Sequence, residues 1–279
     1  MTVCIIGLGL IGGSIAIALR EKSFAHRLIG VDFNPVHCND AVRLGLVDET
    51  STLEEGIARA DLVIVAIPVD ATLQVLPSVL DLVSHQVVMD VGSAKLMICK
   101  CVATHANRRN FVASHPMWGT ENSGPHAAVS GAFRNKAAVI CDKQHSSDHA
   151  VKLVESVYTA LGMHIVYMDA ADHDVHTAYI SHVSHITSFA LANTVLEKEK
   201  EDNTIFELAS GGFESTVRLA KSNPSMWLPI FKQNKENVLD VLNEHIYQLK
   251  KFKACLEKEN FEYLDELMKN ANTIRRILK

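Results

Sequence analysis

The chain begins with three closely spaced glycines and, 20 residues after the last of them, an aspartate. The stretch reads Gly7-x-Gly9-x-x-Gly12, directly after an apolar run. Such glycines allow a tight turn and the close approach of a pyrophosphate, and the next helix directs its partially positive N-terminus at the phosphates. Asp32 would accept hydrogen bonds from the adenosine ribose hydroxyls and would repel a 2′-phosphate. The sequence therefore predicts NAD, rather than NADP, bound by Gly7, Gly9, Leu10, Ile11, Gly12 and Asp32.

A serine and a histidine follow two later apolar runs. Ser93 comes after "VVMDVG" (87–92), and His115 comes after "FVAS" (111–114), immediately before Pro116. The carboxyl ends of parallel strands meet at one edge of a sheet, where ligands bind in open α/β folds. Proline also biases the residue before it toward extended geometry. We therefore predict that Ser93 and His115 lie beside the nicotinamide end of the cofactor, with His115 directed at the substrate side. For Ser93, capping of the next helix is the structural alternative.

An isolated arginine and a pair of histidines lie in the second half of the chain. Arg218 follows "GGF" and is the only arginine from Lys136 to Thr273. Its planar fork suits a carboxylate. His182 and His185 lie three residues apart on one helical face, but no glutamate separates them and no cysteine is near. We therefore predict no metal site, and core packing for His182.

The apolar pattern predicts the elements that position these residues. Seven short runs read as strands, and their hydrophobicity is continuous rather than alternating, which is typical of a parallel sheet covered on both faces. Helical patterns lie between many of them. The fold class is α/β, with a doubly wound parallel-sheet NAD-binding domain followed by an all-α dimerisation domain. The strand signal ends near Tyr167, so we place the dinucleotide-binding domain at 1–167 and the helical substrate-binding and dimerisation domain at 168–279.

One stretch of the helical part is apolar on almost every side. It runs from Tyr179 to Leu196, which predicts a helix that is buried all round. In an all-helical domain such a helix is often buried partly against a second subunit. The sequence therefore predicts a homodimer formed through the helical domain.

Composition excludes several classes of partner. The chain is 48% hydrophobic and 21% charged, with a net charge of -5 and no basic tail, so nucleic acid and anionic membranes are poor partners. No apolar run reaches the length of a membrane span, and the first strand begins by Val3, which leaves no room for a signal peptide. The six cysteines show no CxxC pair. We therefore expect a cytoplasmic protein.

The motifs "GLGLIGGS", "DVGSAK", "SHPMWGTE", "SHVSH" and "GGFESTVRLAKSNPSMW" occur in this order. With them the chain resembles the prephenate dehydrogenase family, which includes the arogenate dehydrogenases. The resemblance implies an N-terminal NAD(P) domain and a helical C-terminal domain that forms the dimer. It also implies an oxidoreductase of tyrosine biosynthesis that removes a hydride and carbon dioxide from its substrate. Prephenate would give 4-hydroxyphenylpyruvate, and arogenate would give tyrosine.

The resemblance also assigns roles to single residues. It implies that His115 is the catalytic histidine, which accepts the proton of the substrate's C4 hydroxyl, and that Ser93 orients this histidine and the nicotinamide. Arg218 matches the arginine that binds a substrate carboxylate, and His185 matches a histidine near the substrate side chain. Two further matches lie near the pocket in some members: Glu121 and Trp227.

The chain departs from the family pattern at two positions. The family usually shows a threonine directly before the arginine, whereas here Thr216 and Arg218 are separated by Val217. The histidine motif often contains a proline, where this chain has Ser184. We therefore transfer the role of Arg218 but not one for Ser215 or Thr216. Without the proline, we expect a smoother helix around His185 than in the family.

Two other functions fit parts of the sequence. A β-hydroxyacid-type dehydrogenase would carry a catalytic lysine on the long interdomain helix, but 175–196 contains none. A non-catalytic NAD-responsive regulator would bind the dinucleotide without needing Ser93, His115, His185 and Arg218 together. The sequence leaves open the choice between prephenate and arogenate, the strictness for NAD and any inhibition by tyrosine.

Overall fold

The computed structural model describes residues 1–200 and 205–277, and an eight-stranded sheet forms its centre. The strands lie side by side in the order β3-β2-β1-β4-β5-β6-β7-β8. Their bounds are β1 Thr2–Ile6, β2 Arg27–Val31, β3 Glu49–Thr50, β4 Leu62–Val65, β5 Val87–Asp90, β6 Phe111–Pro116, β7 Ala137–Cys141 and β8 His164–Met168.

The sheet is parallel except at one junction. Strands β3 to β6 run parallel in register, and β8 runs parallel to β7, but β7 runs antiparallel to β6. The predicted doubly wound α/β fold is confirmed, with this reversal as the difference. His115 lies inside β6, opposite Val139, rather than just beyond the strand. The antiparallel partner extends β6 as far as Pro116.

Helices cover the sheet and fill the C-terminal part. Six of them accompany the strands, and six more follow β8 within the described residues. Their bounds are α1 Leu10–Glu21, α2 Pro35–Arg43, α3 Leu53–Ala58, α4 Val69–Leu82, α5 Leu96–Cys101, α6 Asp148–Ala160, α7 Ala170–Thr177, α8 Val183–Glu199, α9 Gly211–Val217, α10 Pro224–Gln233, α11 Lys235–Glu257 and α12 Phe261–Ala271.

Two apolar clusters form the core, one on each face of the sheet. Successive side chains of a strand point to opposite faces, and β1 shows the result. Val3 and Ile5 belong to one cluster, whereas Cys4 and Ile6 belong to the other. Burial on both faces explains why the strands read as continuous apolar runs.

A π-helical turn, Ala178–His182, joins α7 to α8 in one long helical run. Such turns are rare and occur frequently at functional sites. The prediction that Tyr179–Leu196 is buried all round is wrong for the single chain. Only Ser188 is buried within α8, and Ile180 is 66% exposed. Within residues 1–200 and 205–277, this apolar helix is therefore only partly covered.

The chain divides into two compact units, Met1–Asn234 and Lys235–Lys279. The first contains the whole sheet and the helices up to α10. The second contains α11 and α12, which are connected through Glu259 in the left-handed region (φ 53°) and Asn260, whose side chain caps α12. Within the described residues no helix is long and apolar enough to cross a membrane. The sequence-based boundary at 167/168 stays a prediction.

Candidate active site

The glycine loop between β1 and α1 is shaped by its three glycines. Gly7 has φ +98°, and a Cβ there would overlap the carbonyl oxygen of Ala66. A Cβ on Gly12 would overlap the carbonyl oxygen of Gly7. A Cβ on Gly9, at the N-terminus of α1, would contact nothing within 4 Å. The fold itself therefore requires Gly7 and Gly12, whereas Gly9 borders open space where a helix N-terminus attracts a phosphate.

Asp32 lies directly after β2 and stabilises this loop by a hydrogen bond. Its Oδ2 accepts a hydrogen bond from the backbone N–H of Leu8 at 2.8 Å, and its Oδ1 accepts one from Asn34 at 2.9 Å. His37 approaches Oδ2 at 3.5 Å. A carboxylate oxygen carries two lone pairs, so these contacts leave acceptor capacity for a ribose hydroxyl. Recognition of the ribose by Asp32 stays a prediction.

His115 belongs to a hydrogen-bonded chain of three side chains. Its Nδ1 lies 2.9 Å from Nε2 of His173, and Nδ1 of His173 lies 2.8 Å from Oδ1 of Asp174. A carboxylate only accepts hydrogen bonds, so Nδ1 of His173 is the donor and its Nε2 accepts in the neutral ring. The Nδ1–H of His115 must then donate to His173. This leaves Nε2 of His115 as a free acceptor, the arrangement that a general base needs.

The start of α5 and the end of α10 hold Asp174 in place. Its two oxygens accept the backbone N–H groups of Lys95 and Leu96 at 2.7 and 3.0 Å. The side chain of Asn234 donates to the Asp174 carbonyl oxygen at 2.6 Å. His173 and Asp174 are both buried. Because their polar atoms are paired, the orientation of the His115 ring is fixed before any ligand binds.

A buried lysine lies behind His115. The Lys95 ammonium pairs with Asp90 and donates to the carbonyl oxygen of Ser114 at 2.7 Å, and the Lys95 and Asp90 side chains are fully buried. Burial lowers the pKa of His115 well below the ordinary imidazole value, and the His173 ring and the Lys95 cation lower it further. Burial also lowers the pKa of His173, against the opposing effect of Asp174. At neutral pH His115 is therefore an uncharged ring.

Ser93 lies half-buried in the turn between β5 and α5, near the same edge of the sheet. Within the described residues its side chain makes no hydrogen bond to His115, whose ring partner is His173. The prediction that Ser93 orients His115 and the nicotinamide stays a prediction.

Arg218, at the end of α9, forms an ion pair with Glu121 in the connection after β6. Its NH1 lies 3.1 Å from Oε2 of Glu121, and the Arg218 side chain is 52% exposed. A hydrogen bond from its own backbone N–H lowers the pKa of Glu121, and Arg218 lowers it further. In the part of the chain that the structure describes, the guanidinium therefore has one carboxylate partner, and its solvent-facing side can bind a second carboxylate.

Aromatic rings form a further part of the site, beside His115 at one end and Arg218 at the other. His185 stacks on Trp227 with ring centroids 3.5 Å apart, and its Nδ1 lies 3.0 Å from the Ser181 carbonyl oxygen. His182 is buried edge-on against Trp227, and burial lowers its pKa to about 4. Its Nδ1 faces the Asn234 side chain at 3.2 Å. His182 therefore packs in the core, and the described residues contain no cluster that could hold a metal ion.

Comparison with known proteins agrees with this geometry. Residues 15–167 match the family model "Prephenate dehydrogenase, nucleotide-binding domain", and residues 169–270 match "Prephenate dehydrogenase, dimerization domain". The chain belongs to the prephenate dehydrogenase family. It is 32% identical over 278 residues to prephenate dehydrogenase of Bacillus subtilis, covering 98% of this chain and 75% of that protein. It is 30% identical to cyclohexadienyl dehydrogenase of Zymomonas mobilis, covering 99% and 96%.

Solved structures of the family have the same fold. The crystal structure of prephenate dehydrogenase from A. aeolicus with hydroxyphenyl propionate and NAD+ matches with TM-score 0.89 and 28% identity, covering 100% of this chain and 98% of that one. Arogenate dehydrogenase of Synechocystis matches with TM-score 0.79 and 27% identity, covering 100% of both chains. The chain is therefore similar to family members whose names give different substrates.

Sequence reasoning missed three residues that this family member places behind His115: Lys95, His173 and Asp174. Lys95 was visible in "DVGSAK", but its full burial follows only from the packing of β5 and α5. His173 and Asp174 lie in "DAADHDVH", a polar stretch that reads as a helix start. Several histidines and aspartates close together in this stretch could have indicated a functional site. The contact itself could not be inferred, because His173 lies 58 residues from His115 in the sequence.

Proposed function

We propose that this chain is an NAD-dependent prephenate dehydrogenase, which converts prephenate to 4-hydroxyphenylpyruvate by oxidative decarboxylation. One observation carries the proposal. The His173–Asp174 pair orients His115 so that its Nε2 is an uncharged, free acceptor at the carboxyl edge of the sheet. Removal of a hydroxyl proton by such a base fits the reaction of the family.

The glycine loop supports NAD as the cofactor. Open space at Gly9 beside the α1 N-terminus fits a pyrophosphate, and Asp32 places a carboxylate next to the loop. The carboxylate favours a ribose with free hydroxyls over one that carries a phosphate. When bound, NAD supplies the hydride acceptor for C4 of the substrate ring.

The chain's own residues would handle the proton and the substrate charges. His115 accepts the C4 hydroxyl proton at Nε2, and the Asp174 carboxylate stabilises the resulting imidazolium through His173. Loss of the ring carboxylate as carbon dioxide then makes the ring aromatic. Arg218 binds a substrate carboxylate at its exposed side, and the His185–Trp227 stack provides an adjacent aromatic surface.

Arogenate is the second candidate substrate, and Glu121 is the observation that favours it. The Glu121 carboxylate lies 3.1 Å from Arg218, where the amino-acid side chain of arogenate would bring an ammonium as well as a carboxylate. An ammonium pairs favourably with a carboxylate, whereas the keto group of prephenate does not.

Three further features belong to the proposal. A homodimer forms through the helical domain, supported by the dimerization-domain match and by the uncovered apolar face at Ile180. The cofactor domain spans 1–167 and the helical domain 168–279, supported by the family matches on each side of this boundary. The cytoplasm is the location, supported by six unpaired cysteines.

One assay tests the function. Purified chain is incubated with NAD and either prephenate or arogenate, and NADH is followed by absorbance, with NADP as the cofactor control. We expect NADH with prephenate and little NADPH. Turnover of arogenate alone would replace the first substrate by the second, and turnover of neither would overturn the proposal.

A further inference from the structure

A cavity lies at the end of β6 remote from His115. It is a solvent-open cleft with a volume of about 470 Å³, and it lies between α5, the turn before β6 and the turn after β7. Its polar lining includes Lys100, Arg108, Arg109, Gln144 and His145. None of these side chains takes part in the site described above; the lining residue Leu96 touches that site through its backbone N–H, which donates to Asp174.

Arg108 is the buried cation of this cavity, with 6% of its surface exposed. Its NH1 donates to the carbonyl oxygen of Phe111 at 2.8 Å and lies 3.4 Å from Oγ of Ser146. Its Nε and NH2 are buried and have no hydrogen-bond partner among the described residues. Burial lowers the pKa of Arg108, but a guanidinium stays charged at neutral pH. The protein therefore buries a cation and pairs only one of its three nitrogens.

The rim of the cavity is also basic. Lys100 and Arg109 are exposed, and neither side chain forms an ion pair within residues 1–200 and 205–277. The lining contains one carboxylate, that of Asp142, and its Oδ1 accepts the backbone N–H of Ala170 at 3.0 Å. Three cations against one carboxylate give the cavity a positive potential.

Part of the wall is apolar. Leu96 and Ala103 line the cavity beside the cations, so a ligand with an apolar body and an anionic group would find complementary surfaces for both. A purely structural role for Arg108 accounts for the bonds of NH1 but leaves Nε and NH2 buried without partners. An unpaired buried donor is unfavourable, and an oxyanion would supply the missing acceptors.

We propose that this cavity binds a small oxyanion, a carboxylate or a phosphate, through Arg108, Lys100 and Arg109. Nε and NH2 of Arg108 are closed off from solvent, so the guanidinium must turn toward the cavity to offer these two adjacent donors to an oxyanion. Lys100 and Arg109 add positive charge from the rim. The site is independent of the dehydrogenase reaction proposed above.

The test uses two probes, sodium phosphate and sodium benzoate, with benzyl alcohol as the uncharged analogue of benzoate. Binding is followed by NMR of the arginine Nε–H groups in the chain that carries Arg218→Ala, so that Arg218 does not contribute a carboxylate site. One double variant, Lys100→Gln/Arg109→Gln, removes the two rim cations. The control double variant, Lys22→Gln/Lys152→Gln, removes the same charge from exposed positions outside the cavity. Arg108 stays in place in both, which preserves the fold.

We expect a saturable shift of the Arg108 Nε–H resonance with at least one anion and none with benzyl alcohol. Loss of the two rim cations should weaken binding about tenfold or more, whereas the control pair should bind like the parent. Tighter binding of benzoate would identify an organic carboxylate as the ligand, and tighter binding of phosphate a phosphoryl group. Equal affinity in the two variant pairs, or no saturable shift with either anion, would overturn the proposal.

Discussion

The two ends of the candidate site differ in burial and in how their polar groups are held. At the His115 end, His173 and Asp174 are buried, and hydrogen bonds fix each ring and carboxylate. At the other end, Arg218 is half-exposed, and among the described residues its ion-pair partner is Glu121.

This difference teaches how the two ends would contribute to catalysis. A buried, fully paired network is organised before the substrate binds, so it lowers the free energy of the transition state. An exposed arginine can rotate and exchange partners as a carboxylate binds, so it stabilises the bound substrate as well as the transition state. We therefore expect losses in kcat from one end and increases in KM from the other.

Replacement of His115 tests the buried end with the largest effect. His115→Asn should reduce kcat by about 10²- to 10⁴-fold, since loss of a general base typically costs that much. The fold and the affinity for NAD should be retained, as measured by circular dichroism and cofactor titration. The exposed His149→Asn is the matched control and should turn over like the parent. A His115→Asn enzyme within about threefold of the parent would remove the base assignment.

Asp174 should have the second largest effect. Asp174→Asn removes the negative charge next to His173 and turns an amide NH2 toward a backbone N–H of Lys95 or Leu96, because both carboxylate oxygens are acceptors in the unmodified chain. We expect kcat to fall about 10- to 100-fold, a loss typical of an outer partner that orients a functional histidine. Asp172→Asn, on the exposed side of the same helix, serves as the control for kcat and for the urea midpoint. Equal kcat values in the two variants would mean that the network does not orient His115.

Arg218 tests the exposed end. Arg218→Ala should raise KM about 10- to 100-fold, because a charge-assisted hydrogen bond contributes about 1.5–3 kcal/mol. Steady-state kinetics should show a much smaller change in kcat, and Arg218→Lys should recover only part of the loss because it lacks the planar fork. Lys232→Ala is an exposed control. A fall in kcat with KM unchanged would contradict the division between the two ends.

The pH dependence gives the smallest effect. A base with the ordinary histidine pKa of about 6.5 would lose about threefold in kcat/KM between pH 7 and pH 6. Burial and nearby cations lower the pKa of His115, so the neutral form persists to lower pH. We therefore expect a loss of less than about twofold over this interval. A loss of threefold or more would mean that the ring is not shielded as the structure indicates.

The fold was largely predictable from the sequence because buried strands leave a strong signal. The runs at 137–141 and 164–168 coincide with β7 and β8. Strand direction was not predictable, since a strand covered on both faces is apolar in either orientation, and the reversal of β7 was missed. The two-residue β3 and the short helices α2, α3 and α5 have too few residues for a periodic pattern.

The candidate site was predictable only where the residue type and its sequence neighbours indicate a chemical role. His115 before Pro116 and the isolated Arg218 could be found in this way. The partners that set their properties could not. His173 reaches His115 from a helix 58 residues away, and the pairing of Glu121 with Arg218 spans 97 residues. Both contacts depend on how the helices pack on the sheet, which local patterns do not encode.

The central claim is that the protein holds His115 as a neutral ring with its proton on Nδ1. Long-range ¹H–¹⁵N NMR of histidine-labelled chain at pH 7 reports this state directly, and His115→Asn identifies the signal. We predict a protonated Nδ1 and an unprotonated Nε2 for His115. An imidazolium, or a proton on Nε2 in the unmodified chain, would contradict the account.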